Sequence, residues 1–434
     1  MSFRITKKNT IQRIINQLSV NTSSINSSST NTSSLINSLA VKGSEINSSL
    51  HNPHKSSVVT NLSGTKIISD ISGQFGWAID TDNTGRFVVV GAPTANSSAG
   101  YARVYSISST NTPNLLFTTS QLVAASTLTG FSVSISGIGN VIAVGAPGHN
   151  SNNGGVLIYT NNNGIITYNT LISPTSPGAY VGQFVKLSHD GTVLAIGAPL
   201  FDVNFGRVWI YKFTTSWNLV QVIDRPNTST FYFGDVISMN SNGNKIFIGS
   251  RSAITGGIFC RVYVANLNRS TSQWVLNNHF TGIPITTTSL IADVDFDIAA
   301  SLDDNYLVIS CPSQNNTIGT ASVLSLSPAN DMERSQFVIR PLAGEVGFGY
   351  KVCISGDSKT IYISSATNAS NEGQIWVYRQ NKKSWIRVLR PFRGAGDIGQ
   401  PQQGFAIACN ISGSRLMIGG PFDHLNKGAY WTFI

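Results

Sequence analysis

One feature constrains this chain more than any other: the triplet Gly-Ala-Pro returns at a nearly fixed interval. It stands intact at Gly91-Ala92-Pro93, Gly145-Ala146-Pro147 and Gly197-Ala198-Pro199. Degenerate copies are Gly249-Ser250-Arg251, Ser310-Cys311-Pro312, Ser364-Ser365-Ala366 and Gly419-Gly420-Pro421. Fifteen residues upstream of each first position lie Gly76, Gly130, Gly182, Gly234, Asp295, Gly349 and Gly404. Six residues upstream lie Gly85, Gly139, Gly191, Gly243, Asp304, Ser358 and Gly413. The interval between copies runs from 52 to 61 residues. A repeat of this length settles the architecture before any local reading does.

Each column has a physical reading. The first glycine opens a short strand, such as Phe131–Ile135. The second sits in a tight turn, where it takes a positive φ without steric cost. A β-branched and aromatic run follows: Phe87–Val90, Val141–Val144, Val193–Ile196, Lys245–Ile248, Tyr306–Ile309, Thr360–Ile363 and Arg415–Ile418. Such runs suit strands buried on both faces. Gly-Ala-Pro is expected to stop that strand, since proline has no N–H for the ladder. A third strand begins near Gly100, Gly155, Gly206, Gly257, Gly373 and Gly428, and a fourth often opens with tryptophan, at Trp217, Trp274 and Trp385. Four strands per unit and seven units predict an all-β chain, a seven-bladed β-propeller of four-stranded blades.

These motifs resemble the FG-GAP repeat family, found in integrin α-subunit heads and in many microbial and viral proteins. Phe75-Gly76, Phe233-Gly234 and Phe348-Gly349 match its "FG", and residues 91–93, 145–147 and 197–199 match its "GAP". The resemblance covers about 75–434. It implies ligand docking by loops on one face of the disc. It also implies calcium loops between the first two strands, for which Asp80 and Asp82 are the candidates. The alternative for Asp80 and Asp82 is an Asx-type turn that needs no metal. No other cofactor is expected.

The propeller is expected over 57–434, preceded by a Ser/Asn-rich segment over 1–56. In that segment Ile11, Leu18, Ile25, Leu39 and Ile46 fall on a heptad seam, with Thr32 at the remaining position. Two readings stay open for residues 10–50: a trimeric coiled-coil stalk, or a flexible low-complexity tether. The last unit ends after its third strand, so a strand from 58–71 is expected to complete it and remove an open edge. Neither a signal peptide nor a transmembrane span is evident. The compartment stays open, with a virion suspected.

The formal charge is +9, from 29 Lys and Arg against 20 Asp and Glu. The excess is mild and dispersed and does not by itself argue for nucleic acid, which is not the expected partner. The four cysteines occupy four blades without a Cys-x-x-Cys pair, so a zinc site is not expected. Gly-x-Ser-x-Gly, His-Glu-x-x-His and Walker motifs are missing. Asp293, Asp295, Asp297, Asp303 and Asp304 crowd blade five, either as a cation or basic-partner site or as solvated strand ends. Arg379, Lys382, Lys383, Arg387, Arg390 and Arg393 form a basic patch in blade six. The loops after Gly-Ala-Pro carry the ligand candidates His149, Asn150, Phe201, Asp202, Asn204 and Phe205, with Phe201 and Phe205 read as exposed aromatics.

The resulting expectation is not an enzyme but a structural or adhesion propeller. It would be a virion surface or fibre-like component that binds protein or glycan. The alternatives are an intracellular scaffolding propeller and, third, a propeller hydrolase with its site in the central channel.

Overall fold

The computed structural model describes residues 64–120, 124–174, 179–254, 257–285, 296–312, 318–326, 333–341, 346–368, 370–382 and 384–434. The 1–56 segment and its heptads, Asp293, Asp295 and Lys383 lie outside the described residues.

The strands form seven antiparallel sheets. A first strand, β1 (Thr65–Ile68), precedes blade 1, which holds β2 (Ala78–Thr81), β3 (Phe87–Ala92), β4 (Tyr101–Ile107) and β5 (Pro113–Thr118). Blade 2 holds β6 (Val133–Ile135), β7 (Val141–Gly145), β8 (Val156–Asn162) and β9 (Ile165–Ile172). Blade 3 holds β10 (Phe184–Leu187), β11 (Val193–Ala198), β12 (Arg207–Phe213) and β13 (Trp217–Asp224). In blade 4 the innermost lane is shared by β14 (Thr230–Phe231) and β15 (Ile237–Met239). Both pair with β16 (Lys245–Ile254), followed by β17 (Gly257–Asn268) and β18 (Gln273–Ile285). Blade 5 holds β19 (Asp297–Ala300), β20 (Tyr306–Cys311), β21 (Thr320–Leu326) and β22 (Glu333–Ile339). Blade 6 holds β23 (Val352–Ile354), β24 (Thr360–Ser365), β25 (Gln374–Asn381) and β26 (Ser384–Arg387). Blade 7 holds β27 (Ala406–Cys409), β28 (Leu416–Gly420) and β29 (Ala429–Phe433), and its fourth strand is β1, which pairs with β29 from Thr65 opposite Thr432 to Ile68 opposite Ala429. The inner strands β2, β6, β10, β15, β19, β23 and β27 each touch the next around a closed ring. The chain is a seven-bladed β-propeller.

The second strands are buried on both faces, as their apolar runs require: every residue of β3, β11 and β24 is buried. They do not stop at Gly-Ala-Pro. In blade 1 the ladder continues through Gly91 and Ala92, opposite Ala102 and Tyr101, and ends before Pro93. The reason is a blade-to-blade seam. A Cβ on Gly91 would lie 1.9 Å from the carbonyl oxygen of Gly130 in the next blade; on Gly145, 2.1 Å from that of Gly182; on Gly419, 2.0 Å from that of Gly76. The two glycine columns therefore meet each other, backbone on backbone, and no side chain fits between them.

A second device repeats in the turn between the first two strands. Nine residues before each triplet stands a short acceptor: Asp82, Ser136, Ser188, Asn240, Ser301, Ser355 or Asn410. Its side-chain oxygen accepts the N–H five residues on, from Phe87, Val141, Val193, Lys245, Tyr306, Thr360 and Arg415 in turn, at 2.7–3.1 Å. This local bond replaces ladder partners the turn lacks.

Candidate functional site

The inner strands enclose a central cavity of about 580 Å³. Pro199 and Leu200 mark its end beneath the loops that follow the triplets; Asn83, Gly137, His189, Gly356 and Ile411 mark the other. The residue after the seam glycine reaches this cavity in six blades: Trp77, Phe131, Gln183, Asp235, Tyr350 and Phe405. Blades 6, 7, 1 and 2 thereby supply a contiguous aromatic arc. Tyr350 and Phe405 have ring centroids 5.3 Å apart, Phe405 and Trp77 4.6 Å, Trp77 and Phe131 5.6 Å. Blades 3 and 4 supply the polar side. Gln183 Oε1 is shielded from solvent and has no hydrogen-bond partner. Asp235 pairs with Arg251 at 2.7 Å, and Arg251 lies 4.6 Å from the ring centre of Tyr232.

Four further charges line the same cavity, as two pairs. Asp80 Oδ2 meets Lys186 Nζ at 3.2 Å and also accepts Ser134 Oγ and the Ile135 N–H. Asp297 Oδ1 lies 3.8 Å from Lys351 Nζ, while Oδ2 accepts the Val352 N–H at 3.0 Å. The lysines keep about a third of their side-chain surface exposed, the carboxylates 15% or less. Burial pushes the Asp297 carboxyl above the usual carboxylate range, against the pull of Lys351, the Val352 N–H and Lys186. A carboxylate made more basic, set beside cations in a walled cavity, is equipped to take a proton from water while the lysines hold developing negative charge.

The residues singled out in the sequence fall elsewhere. Phe201 and Phe205 are not free. Both are half-buried: Arg207 lies over Phe201 at 4.0 Å with Trp209 edge-on, and Arg225 lies over Phe205 at 3.2 Å with Phe231 alongside. Asp202, Asn204 and Asn150 sit in left-handed turns with φ of 51°, 68° and 51°, and His149 opens the turn that holds Asn150. The basic patch also thins. Arg379 is buried, and Arg393 pairs with Glu372 and, at 3.7 Å, with Asp397. Lys382, Arg387 and Arg390 are exposed, while Trp385 is buried against Tyr306. Asp80 and Asp82 engage different partners. Asp82 caps its own turn, accepting Thr84 Oγ1 at 2.5 Å besides Phe87 N, whereas Asp80 serves the channel. Among the described residues no three of His, Cys, Asp and Glu gather as a metal set. Nor are the described members of the blade-five acidic cluster one group. Asp297 faces the channel, Asp303 caps its turn through Ser301 and Asn305, and Asp304 pairs with Lys245 at 3.7 Å.

Lys186, Lys351 and the aromatic arc were not anticipated from the sequence. A signal for the arc was there: the position after the seam glycine, just before the inner strand, is aromatic in blades 1, 2, 6 and 7.

No family model matches the chain, and no curated protein matches its sequence. Solved structures match the fold. A Bacteroides uniformis protein provisionally assigned as a 6-phosphogluconolactonase is 13% identical, with a TM-score of 0.51 over 74% of this chain and 85% of that one. A Bacteroides fragilis protein with the same provisional assignment is 12% identical, with a TM-score of 0.50 over 74% and 84%. A Lactobacillus plantarum protein is 11% identical, with a TM-score of 0.50 over 74% and 85%. At this identity the likeness establishes the propeller alone. The expectation of a non-catalytic structural or adhesion protein is corrected on two grounds. The similar propellers include two provisionally assigned as enzymes. The loop aromatics that were to make the docking face are covered by Arg207 of the same blade and by Arg225 of the link to blade 4.

Proposed function

We propose that the central channel is the active site of a hydrolase acting on a cyclic ester of a sugar acid, a lactone. The observation that carries this reading is the pairing of Asp297 with Lys351, and of Asp80 with Lys186, in a cavity rimmed by an arc of mutually tilted aromatic rings. A flat-faced sugar ring stacks on Trp77 and Phe405 by its C–H face, and its hydroxyls meet Gln183 and Asp235. Ionised Asp297 accepts a proton from water as the water oxygen bonds to the lactone carbonyl carbon. Lys351 and Lys186 hold the resulting oxyanion. The ring C–O bond then breaks, and the ring oxygen takes the proton back from Asp297 and leaves as a hydroxyl of the open acid. The provisional assignment of the two Bacteroides propellers supports the substrate class. The FG-GAP resemblance is retained as a proposal about blade ancestry, supported by the glycine seam, and carries no function.

The test is hydrolysis of gluconolactone and its phosphorylated form, corrected for the spontaneous rate. The wild type is expected to turn over at least one of them. Asp297→Asn should lower kcat by about 100-fold or more, and Trp77→Ala should act mainly on KM. Arg387→Ala with Arg390→Ala, far out on blade 6, should change neither. Turnover unchanged by Asp297→Asn, or none above the spontaneous rate, overturns the proposal.

A further inference from the structure

The four free cysteines stand in four different blades, yet they meet as two cross-blade pairs. Cys260 of β17 and Cys311 of β20 pack in one apolar cluster, and Cys353 of β23 and Cys409 of β27 pack against another; the Cys311 thiol lies near enough to push that of Cys260 up, and the Cys409 thiol that of Cys353. Their surroundings differ. Cys260 and Cys311 are 0% exposed, sealed in the apolar cluster between blades 4 and 5. Cys353 and Cys409 are half-buried, line the channel, and rest on the apolar cluster between blades 6 and 7. Their strands pack side by side, and the Asp357 N–H bonds the Ile411 carbonyl at 3.0 Å just beyond them.

We propose that Cys353 and Cys409 form a reversible thiol–disulfide site, oxidised from the channel by a low-molecular-weight disulfide. One cysteine thiolate attacks the small disulfide and expels a thiolate. The second cysteine attacks the mixed disulfide and expels the other. The two cysteines are oxidised, one S–S bond is exchanged for another, and the two protons leave on the two small thiols. Burial, and then the contact with Cys409, push the Cys353 thiol up, so the pair rests as thiols until an oxidant enters. The bond ties the inner strand of blade 6 to that of blade 7 and closes a loop of more than fifty residues, which restricts the unfolded chain. The site does not depend on the channel being catalytic. The sealed pair is its internal control.

Reduced full-length protein is incubated with oxidised glutathione under native conditions, alkylated, and mapped by mass spectrometry. The expected result is a Cys353–Cys409 crosslink, with Cys260 and Cys311 alkylated only after denaturation. Free thiols fall from four to two, the thermal midpoint rises by a few degrees, and dithiothreitol reverses both. Cys353→Ser is expected to leave Cys409 as a stable glutathione adduct. The proposal is overturned if all four thiols survive an incubation that oxidises the unfolded chain, or if Cys260–Cys311 forms as fast as Cys353–Cys409.

Discussion

At the scale of single residues, the fold rests on positions where a side chain must be absent or must be short. Gly91 is the sharpest case. Its added Cβ would meet a backbone oxygen that cannot step aside, so Gly91→Ala is expected to cost ~3 kcal/mol. Gly399 also has a positive φ, of 80°, but nothing lies within 4 Å of its Cβ position; Gly399→Ala should cost about 1 kcal/mol, the backbone strain alone. Denaturant unfolding of the two variants measures the difference, and equal losses would contradict the seam. The turn acceptors give a milder test. Ser355 is buried and its Oγ accepts the Thr360 N–H at 2.9 Å, so Ser355→Ala should cost about 1–2 kcal/mol by stranding that donor. Aspartates of opposite tendency shape the response to pH. Asp297 is raised in the folded state, so the folded protein holds that proton more tightly than the unfolded chain. Its contribution is present in acid and is lost as pH rises from the ordinary aspartate value through the raised one. Burial alone would raise Asp303 too, but hydrogen bonds from Ser358, Ser301 and Asn305 outweigh it and lower the carboxyl. That contribution is present above the ordinary value and is lost as pH falls. Stability profiles of wild type and Asp297→Asn should therefore differ on the rising-pH side, where the variant lacks the loss. Superimposable profiles would contradict the placement of Asp297.

At the scale of elements, the strands were legible because their composition and spacing say so. Phe87–Val90 and Val141–Val144 each lie inside an observed strand with the same first residue. The strand ends were less legible, because Gly-Ala was read as a terminator when it is the part of the strand that touches the next blade. Glycine's lack of a Cβ looks the same in one sequence whether it ends a strand or admits a neighbour. The inner strand was misread in part for a similar reason: Phe131 reads as β-forming, yet it sits outside β6 and lines the channel. The joint between β1 and blade 7 is held by more than its ladder. Lys66 Nζ meets the buried Asp423 at 2.7 Å, bonds the Gly396 carbonyl at 2.5 Å and lies 5.2 Å from the Trp431 ring centre. Asp423 Oδ2 receives no hydrogen bond besides this ionic contact, and Oδ1 accepts the Ile398 N–H. Lys66→Ala would leave a buried carboxylate without its cation and should cost about 3 kcal/mol. Removing residues 1–71 opens the β29 edge and should lower the thermal midpoint far more than removing 1–56. Equal midpoints would contradict the role of β1 as the closing strand.

At the scale of the whole molecule, seven near-equivalent blades bring seven inner strands to one axis, and the proposed hydrolytic site lies where they diverge. Little of this was legible. The columns that are alike from blade to blade report packing, and they drew attention to the loops and to charge runs such as Arg387 and Arg390. Lys186, Asp297 and Lys351 are single residues in three different repeats, more than 100 positions apart at the extremes, and only ring closure makes them neighbours. The most direct test of the channel as a hydrolytic site is the pH dependence of lactone turnover in the wild type and in Asp297→Asn, after the spontaneous rate is subtracted. The account predicts a limb that rises with pH as Asp297 ionises, centred above the ordinary aspartate value, and its disappearance in the variant. A limb that persists in Asp297→Asn, or no enzymatic turnover at any pH, would contradict it.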